Sequence, residues 1–239
     1  MNRLIFEDKK VLMAYVTAGD PNIETTEKLI LAMAEAGADA VQIGVPFSDP
    51  VAGGVEMQQA DERALASGST VDGIFDMVAR LRQKIDIALI IKSYMNPIFV
   101  YGKAQFMGKC SQVGIDGIIV PDLPYEEREE IATNCQQYGV AHIPVIAPAA
   151  MDRIETLAAG AQGLIIVPQL NIALVKLVKA VSTLPCIISM DAPTTEEVRE
   201  AMSLASGISI ESSVVRLTAL HGTNCVGHVK EYIAKMKDD

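Results

Sequence analysis

A chain of 239 residues with 50% hydrophobic and 21% charged side chains can bury a large core, and it reads as one soluble domain spanning residues 1–239. Its net charge of -10 and pI near 4.8 argue against nucleic acid or an anionic membrane as partner. The opening MNRLIFEDKK has no apolar signal-peptide core, and no run reaches the roughly 18–20 apolar residues that span a bilayer, so a cytoplasmic protein is expected.

Short apolar, β-branched runs alternate with amphipathic segments along the whole chain. The predicted strands are Val11 to Thr17, Ala40 to Phe47, Ile87 to Tyr94, Gly117 to Leu123, Ala141 to Ala147, Gly163 to Pro168, Cys186 to Asp191 and Gly207 to Ser212. Such nearly continuous apolar runs suit strands buried on both faces of a parallel sheet. The predicted helices between and after them are Glu24 to Ala36, Val71 to Gln83, Lys103 to Gln112, Glu126 to Gln137, Asp152 to Ala158, Ala173 to Ser182, Thr195 to Leu204 and Val226 to Lys237. This succession of βα units predicts an α/β fold, a (β/α)8 TIM barrel. Thr194, Thr70 and Asp152 are placed to cap helix starts, and Gly37, Gly114, Gly139 and Gly160 stand where a left-handed C-cap is wanted.

Cys110, Cys135, Cys186 and Cys225 show no CxxC or Cys-His spacing, which predicts reduced, buried thiols and neither zinc nor disulfides. His142, His221 and His228 are too far apart to form a helical metal pair, and no cofactor is implied. In a barrel the active site is built where the strands run out. The residues there are Tyr15, Thr17, Gln42, Asp49, Gly53, Lys92, Tyr94, Asn96, Asp122, Ile166, Asp191, Ala192, Glu211 and Ser212. Lys92 ends the otherwise apolar run ALIIK. Desolvated, it is a candidate Schiff-base nucleophile, whereas the blander reading is an ion pair with Asp122, Asp191 or Glu211.

The segment VQIGVPFSDPVAGGV, Val41 to Val55, resembles the second strand and loop of the tryptophan synthase alpha chain, whose usual text is close to ELGIPFSDPxADGP. YVTAGDP (Tyr15 to Pro21), SYMNPIFVYG (Ser93 to Gly102), GIDGIIVPDLPYEE (Gly114 to Glu127) and IAPAAMDRI (Ile146 to Ile154) follow in that family's order and spacing. The resemblance covers about the first two thirds of the chain and implies lyase chemistry in tryptophan biosynthesis, the cleavage of indole-3-glycerol phosphate to indole and glyceraldehyde 3-phosphate. It also implies that the two acids performing that cleavage are replaced here, by Gln42 and Gly53. Neither an amide nor a bare Cα exchanges protons near neutral pH. Asp49 and Lys92 are the nearest substitutes.

The family's Gly-rich phosphate loops are missing too. The sixth strand runs through VPQLNIALVK into the next helix, the seventh ends in SMDAP with Asp191 and Ala192, and the eighth ends in IESS with Glu211 and Ser212. Carboxylates facing a phosphate dianion would repel it. The retained SDP and MNP segments face the beta chain in the family, so a pseudoenzyme that docks on a tryptophan synthase beta chain is one reading. A genuine alpha chain with relocated acids is another. The alternative is a diverged barrel enzyme acting on a non-phosphorylated small molecule through Lys92 and nearby acids.

Overall fold

The structure, a computed structural model, describes residues 3–6 and 9–238; Met1, Asn2, Glu7 and Asp8 of the amino-terminal segment read above, and Asp239, lie outside them. Strands β1 (Val11–Thr17), β2 (Ala40–Gly44), β3 (Ala88–Lys92), β4 (Gly117–Ile119), β5 (Ala141–His142), β6 (Ile165–Val167), β7 (Cys186–Met190) and β8 (Gly207–Ile210) form one parallel sheet in the order β5-β4-β3-β2-β1-β8-β7-β6. The two ends of that order meet just past β5. Val145 bridges Ile166 in parallel, with Ile146 N–H donating to the Ile166 carbonyl at 2.8 Å and Ile166 N–H to the Pro144 carbonyl at 3.0 Å. The sheet thus curls into the expected TIM barrel, its two end strands joined at this bridge.

Alternation along each strand sorts side chains into two cores. Leu12, Ala14 and Val16 point outward and pack with helix residues such as Leu29, Met33, Val78 and Phe106. Val11, Met13, Ala40, Ile90, Ile119, Ile143, Ile166 and Ile187 point inward and fill the lower barrel, closed beneath by Leu4 and Phe6. Burying each such side chain contributes about 1.5–3 kcal/mol. At the β1–β8 seam the backbones come so close that a Cβ on Gly207 would lie 2.2 Å from the Val11 carbonyl oxygen, so only glycine fits there.

The expected helices recur as α1 (Ile23–Glu35), α3 (Val71–Leu81), α5 (Lys103–Val113), α6 (Glu129–Tyr138), α7 (Ile154–Ala159), α8 (Ile172–Val181), α9 (Thr195–Leu204) and α11 (Cys225–Asp238). Unanticipated are α2 (Val55–Ala66), α4 (Met95–Tyr101) and α10 (Ser212–His221), all inserted on the carboxyl side of strands. Thr194 and Glu197 form a full capping box on α9, and Thr70 caps α3 through Gly73 N–H. Two cap assignments need correction. Asp152 lies inside a 3-10 turn, Pro148–Arg153, and caps nothing, because Arg153 takes the N-cap position of α7. Gly160 has φ -93, whereas Gly37, Gly114 and Gly139 are left-handed as expected.

Several strands also stop short of their predicted ends. Pro46, Pro121 and Pro144 follow β2, β4 and β5, and a residue without an N–H cannot extend a ladder. All four cysteines are free and buried. Among the described residues no helix is long and apolar enough to cross a membrane, and no cluster of His, Cys, Asp or Glu could hold a metal ion.

Candidate functional site

The phase that turns Met13, Ile90 and Ile187 inward also turns Tyr15, Gln42, Lys92, Ser189 and Ser209 inward, one step nearer the carboxyl ends. Glu211, immediately beyond β8, continues the series. A polar network therefore sits on an apolar floor at the barrel mouth. Lys92 Nζ donates to Glu211 Oε2 at 2.7 Å. Glu211 Oε1 accepts from Ser189 Oγ at 2.8 Å and more weakly from Gln42 Nε2 at 3.4 Å. Gln42 Nε2 donates a shorter bond, 2.6 Å, to Ser209 Oγ.

Burial pushes the Glu211 carboxyl up, but the Lys92 charge and hydrogen bond, aided by Ser189 and Gln42, outweigh it and leave its pKa below the ordinary value. Gln42 is fully buried, and its Oε1 has no hydrogen-bond partner among the described residues. Above the pair, Lys92 Nζ lies 5.2 Å from the centre of the Tyr15 ring, whose hydroxyl shares a 3.1 Å hydrogen bond with Thr17. Burial above all, then the nearby Asp61 charge, pushes the Tyr15 phenol up, so it stays neutral.

Of these groups Tyr15, Lys92 and Glu211 border a cavity of about 80 Å³, lined also by Val45, Ala52, Gly53, Met57, Asp61, Tyr94 and Asp191. Asp61 was missed in the sequence. It lies on the inner face of α2 beside the buried Ala60 and Ala64, and burial pushes its carboxyl up to about 7, with the Asp20 charge adding to the rise. The Phe47 backbone N–H and, more distantly, Lys92 pull the other way. Ser189 and Ser209 were missed as well, although each sits two residues before a flagged acid and shares its phase.

Of the residues anticipated at the mouth, Tyr15, Gly53, Lys92, Tyr94, Asp191 and Glu211 line the cavity, and Gln42 and Thr17 contact it through Glu211 and Tyr15. The others lie elsewhere. Asp49 is exposed and accepts from Ser48 Oγ at 2.6 Å. Asp122 does not pair with Lys92; it accepts from Met95 N–H at 2.9 Å and caps α4, while lining a separate cavity of about 510 Å³ with Tyr125, Arg128 and His142. Asn96 is exposed on α4, and Ile166 belongs to the apolar floor. Asp191 Oδ1 accepts from Ser212 Oγ at 3.1 Å, and its carbonyl accepts from Ser213 N–H, also at 3.1 Å. A carboxylate thus occupies the amino end of α10, next to the exposed Ala192. Only residues 168–171 separate β6 from α8.

The loop after β2 is tied to the start of α4. Tyr94 Oη accepts from Ala52 N–H at 3.1 Å and donates to the Ala52 carbonyl, while the Phe47 and Tyr94 rings lie 5.5 Å apart. Gly53 takes φ +107, a conformation that suits glycine.

A parallel eight-stranded barrel with titratable groups gathered at the carboxyl ends of its strands defines a TIM-barrel protein with a candidate site at its mouth. The family model described as tryptophan synthase alpha chain matches residues 1–238, and the chain belongs to that family. The tryptophan synthase alpha chain of Alkaliphilus metalliredigens is 36% identical over 244 residues, covering 96% of this chain and 92% of the relative. That of Lactiplantibacillus plantarum is 36% identical over 247 residues, covering 98% and 93%. The solved tryptophan synthase subunit alpha of Legionella pneumophila superposes with a TM-score of 0.92 at 28% identity, over 100% of this chain and 98% of the other. A chain from the Pyrococcus furiosus tryptophan synthase α2β2 complex superposes with a TM-score of 0.91 at 26% identity, over 96% and 98%.

Proposed function

We propose that this family member does not cleave indole-3-glycerol phosphate and acts by docking on a tryptophan synthase beta chain. The observation that carries the first half is Gln42: the strand position of the family's acid holds a buried amide committed to Ser209 and Glu211. The second acid position, Gly53, has no side chain, and Asp49 turns away from the cavity. Loss of one member of a catalytic pair commonly costs several powers of ten in rate, and loss of both removes the proton route. Phosphate binding is opposed as well. Asp191 takes the anion position at the amino end of α10, Glu211 stands behind it, and the link from β6 to α8 is too short to fold over a ligand.

Docking is supported by the rim. Val51 is 79%, Val55 66%, Phe99 66% and Val100 76% exposed, on two segments joined by the Tyr94–Ala52 bonds. Such a patch has no role in water but suits a partner. It follows directly on the SDP and MNP segments, and a solved relative is part of an α2β2 complex. The test is paired. Indole release from indole-3-glycerol phosphate is measured with and without a beta chain, and complex formation is measured by calorimetry. Ordinary turnover would defeat the first half; absence of a complex, or a complex insensitive to Phe99→Ser with Val51→Ser, would defeat the second.

A further inference from the structure

At the mouth cavity every charged group but one has a matched neighbour. Lys92 is matched by Glu211, and the second Glu211 oxygen by Ser189 and Gln42. Asp191 takes the Ser212 hydroxyl. Asp61 has, among the described residues, no ion pair and no side-chain hydrogen bond, and its fixed donor is the Phe47 backbone N–H. It is only 7% exposed, yet it lines the cavity. A carboxyl in that position is costly when ionised unless a cation meets it.

We propose that this cavity binds a small primary amine in its ammonium form, with Asp61 as the anchoring carboxylate. An ammonium group supplies the missing charge and up to three hydrogen-bond donors. The Tyr15 and Tyr94 rings and Met57 form part of the remaining wall, and aromatic faces attract a cation. About 80 Å³ admits a ligand of only a few heavy atoms at the inner end, with Asp191 at the rim adding a second negative charge. The Lys92 charge does not block entry, because Glu211 neutralises it locally. The buried, unpartnered Gln42 Oε1 adds another acceptor to the same network. The inference rests on the reading that the mouth no longer receives a phosphate.

Binding requires ionised Asp61, so it is linked to pH. The groups that bear on Asp61 are Tyr15 from β1, Asp20 after it, the Phe47 backbone N–H from the loop after β2, and Lys92 and Tyr94 from β3 and its loop; Glu211 after β8 and Asp191 after β7 line the same cavity. Of these Lys92 favours ionisation and Asp20 opposes it.

The experiment uses the full chain in thermal-shift and calorimetric titrations with methylammonium and ethanolammonium chloride, against ethylene glycol and sodium chloride at matched ionic strength. The amines are expected to raise the unfolding midpoint saturably at about pH 8, with affinity falling about tenfold per pH unit once Asp61 is protonated. Asp61→Asn should abolish the effect. Stabilisation no greater than that of sodium chloride, or equal in wild type and Asp61→Asn, would overturn the proposal. Should Asp61→Asn fail to fold, a wild-type affinity that does not change between about pH 5 and pH 8 overturns it equally. Glycerol 3-phosphate is titrated separately: saturable stabilisation by it defeats the reading of a lost phosphate site, while the amine result is read on its own.

Discussion

Lys92 and Glu211 form an ion pair of 2.7 Å inside the barrel mouth, joining β3 to the end of β8 across the interior and not along the sheet. Their side chains are 25% and 12% exposed, so the pair lies between the surface and the deep interior. Its geometry explains how a lysine is tolerated after four buried residues. The stem crosses apolar surface and the ammonium finds an acid fixed by two further donors. An amine committed to Glu211 in this way is not presented as a free nucleophile, which disfavours the Schiff-base reading.

Removing one partner should therefore hurt more than removing both. Glu211→Gln is expected to destabilise by about 2 kcal/mol, between the small value of exposed pairs and the 3–5 kcal/mol of fully buried ones. Lys92→Met combined with Glu211→Gln should recover part of that loss. Chemical denaturation of the two single variants and the double variant measures the coupling; additive losses would mean that the pair does not act as one unit.

The barrel and the phase of its strands were legible because buried parallel strands are written as apolar runs, and the inward set at the mouth followed from period two. The three added helices were not. Helix α4 is capped by Asp122, a residue far off in sequence, and α2 starts after Gly53 and Gly54 with no local cap. Asp61 escaped notice for the same reason. An acid in ADERA, next to Glu62 and Arg63, reads as a solvated helix position until α2 is known to lie across the cavity. Which acid Lys92 chose among three was likewise settled by packing and not by spacing.

Two of the cavity acids, Glu211 and Asp61, should respond to pH with opposite signs. Glu211 has a lowered pKa in the folded state, so its contribution is present above its unfolded pKa and is lost as pH falls through the folded value. Asp61 is raised from 3.8 to about 7, so the folded state binds its proton more tightly than the unfolded chain. Stability from this group is full below the unfolded value and declines as pH rises toward 7. Asp61→Asn, which mimics the neutral form, should therefore unfold at a higher temperature than wild type near neutral pH and above. The gap should close as pH falls toward 4. A variant equally destabilised at all pH values would show that the carboxyl is held by a partner instead.

Gly44 is required by Tyr15. A Cβ at position 44 would lie 2.0 Å from the Tyr15 hydroxyl and 2.6 Å from Cζ, and the ring cannot swing away because it is buried at 5% exposure. Gly44→Ala should destabilise by about 1–3 kcal/mol, the usual range for overpacking. Gly44→Ala with Tyr15→Phe should restore little, since the ring carbons also clash. Urea midpoints would decide between this and a tolerant site.

Restoring the family's acids should fail for reasons visible at both positions. Gln42→Glu replaces an amide that donates to Glu211 at 3.4 Å with a second carboxylate, in a buried network that already holds one. Two carboxyls that close cannot both ionise freely, so one is pushed up and the Ser209 bond must reverse its donor. Gly53→Asp puts a side chain at φ +107, where the new Cβ would also come within 3.2 Å of Met57 Cβ. The backbone must shift or carry strain of about 1–3 kcal/mol. Even a well-folded double variant would still carry Asp191 at the amino end of α10 and the short link before α8. The expected outcome is therefore a lower unfolding midpoint and no measurable indole release from indole-3-glycerol phosphate, with or without a beta chain. Recovery of turnover by these two changes alone would show that the phosphate is still held at the mouth, and the chain would have to be read as an alpha subunit lacking only its acids.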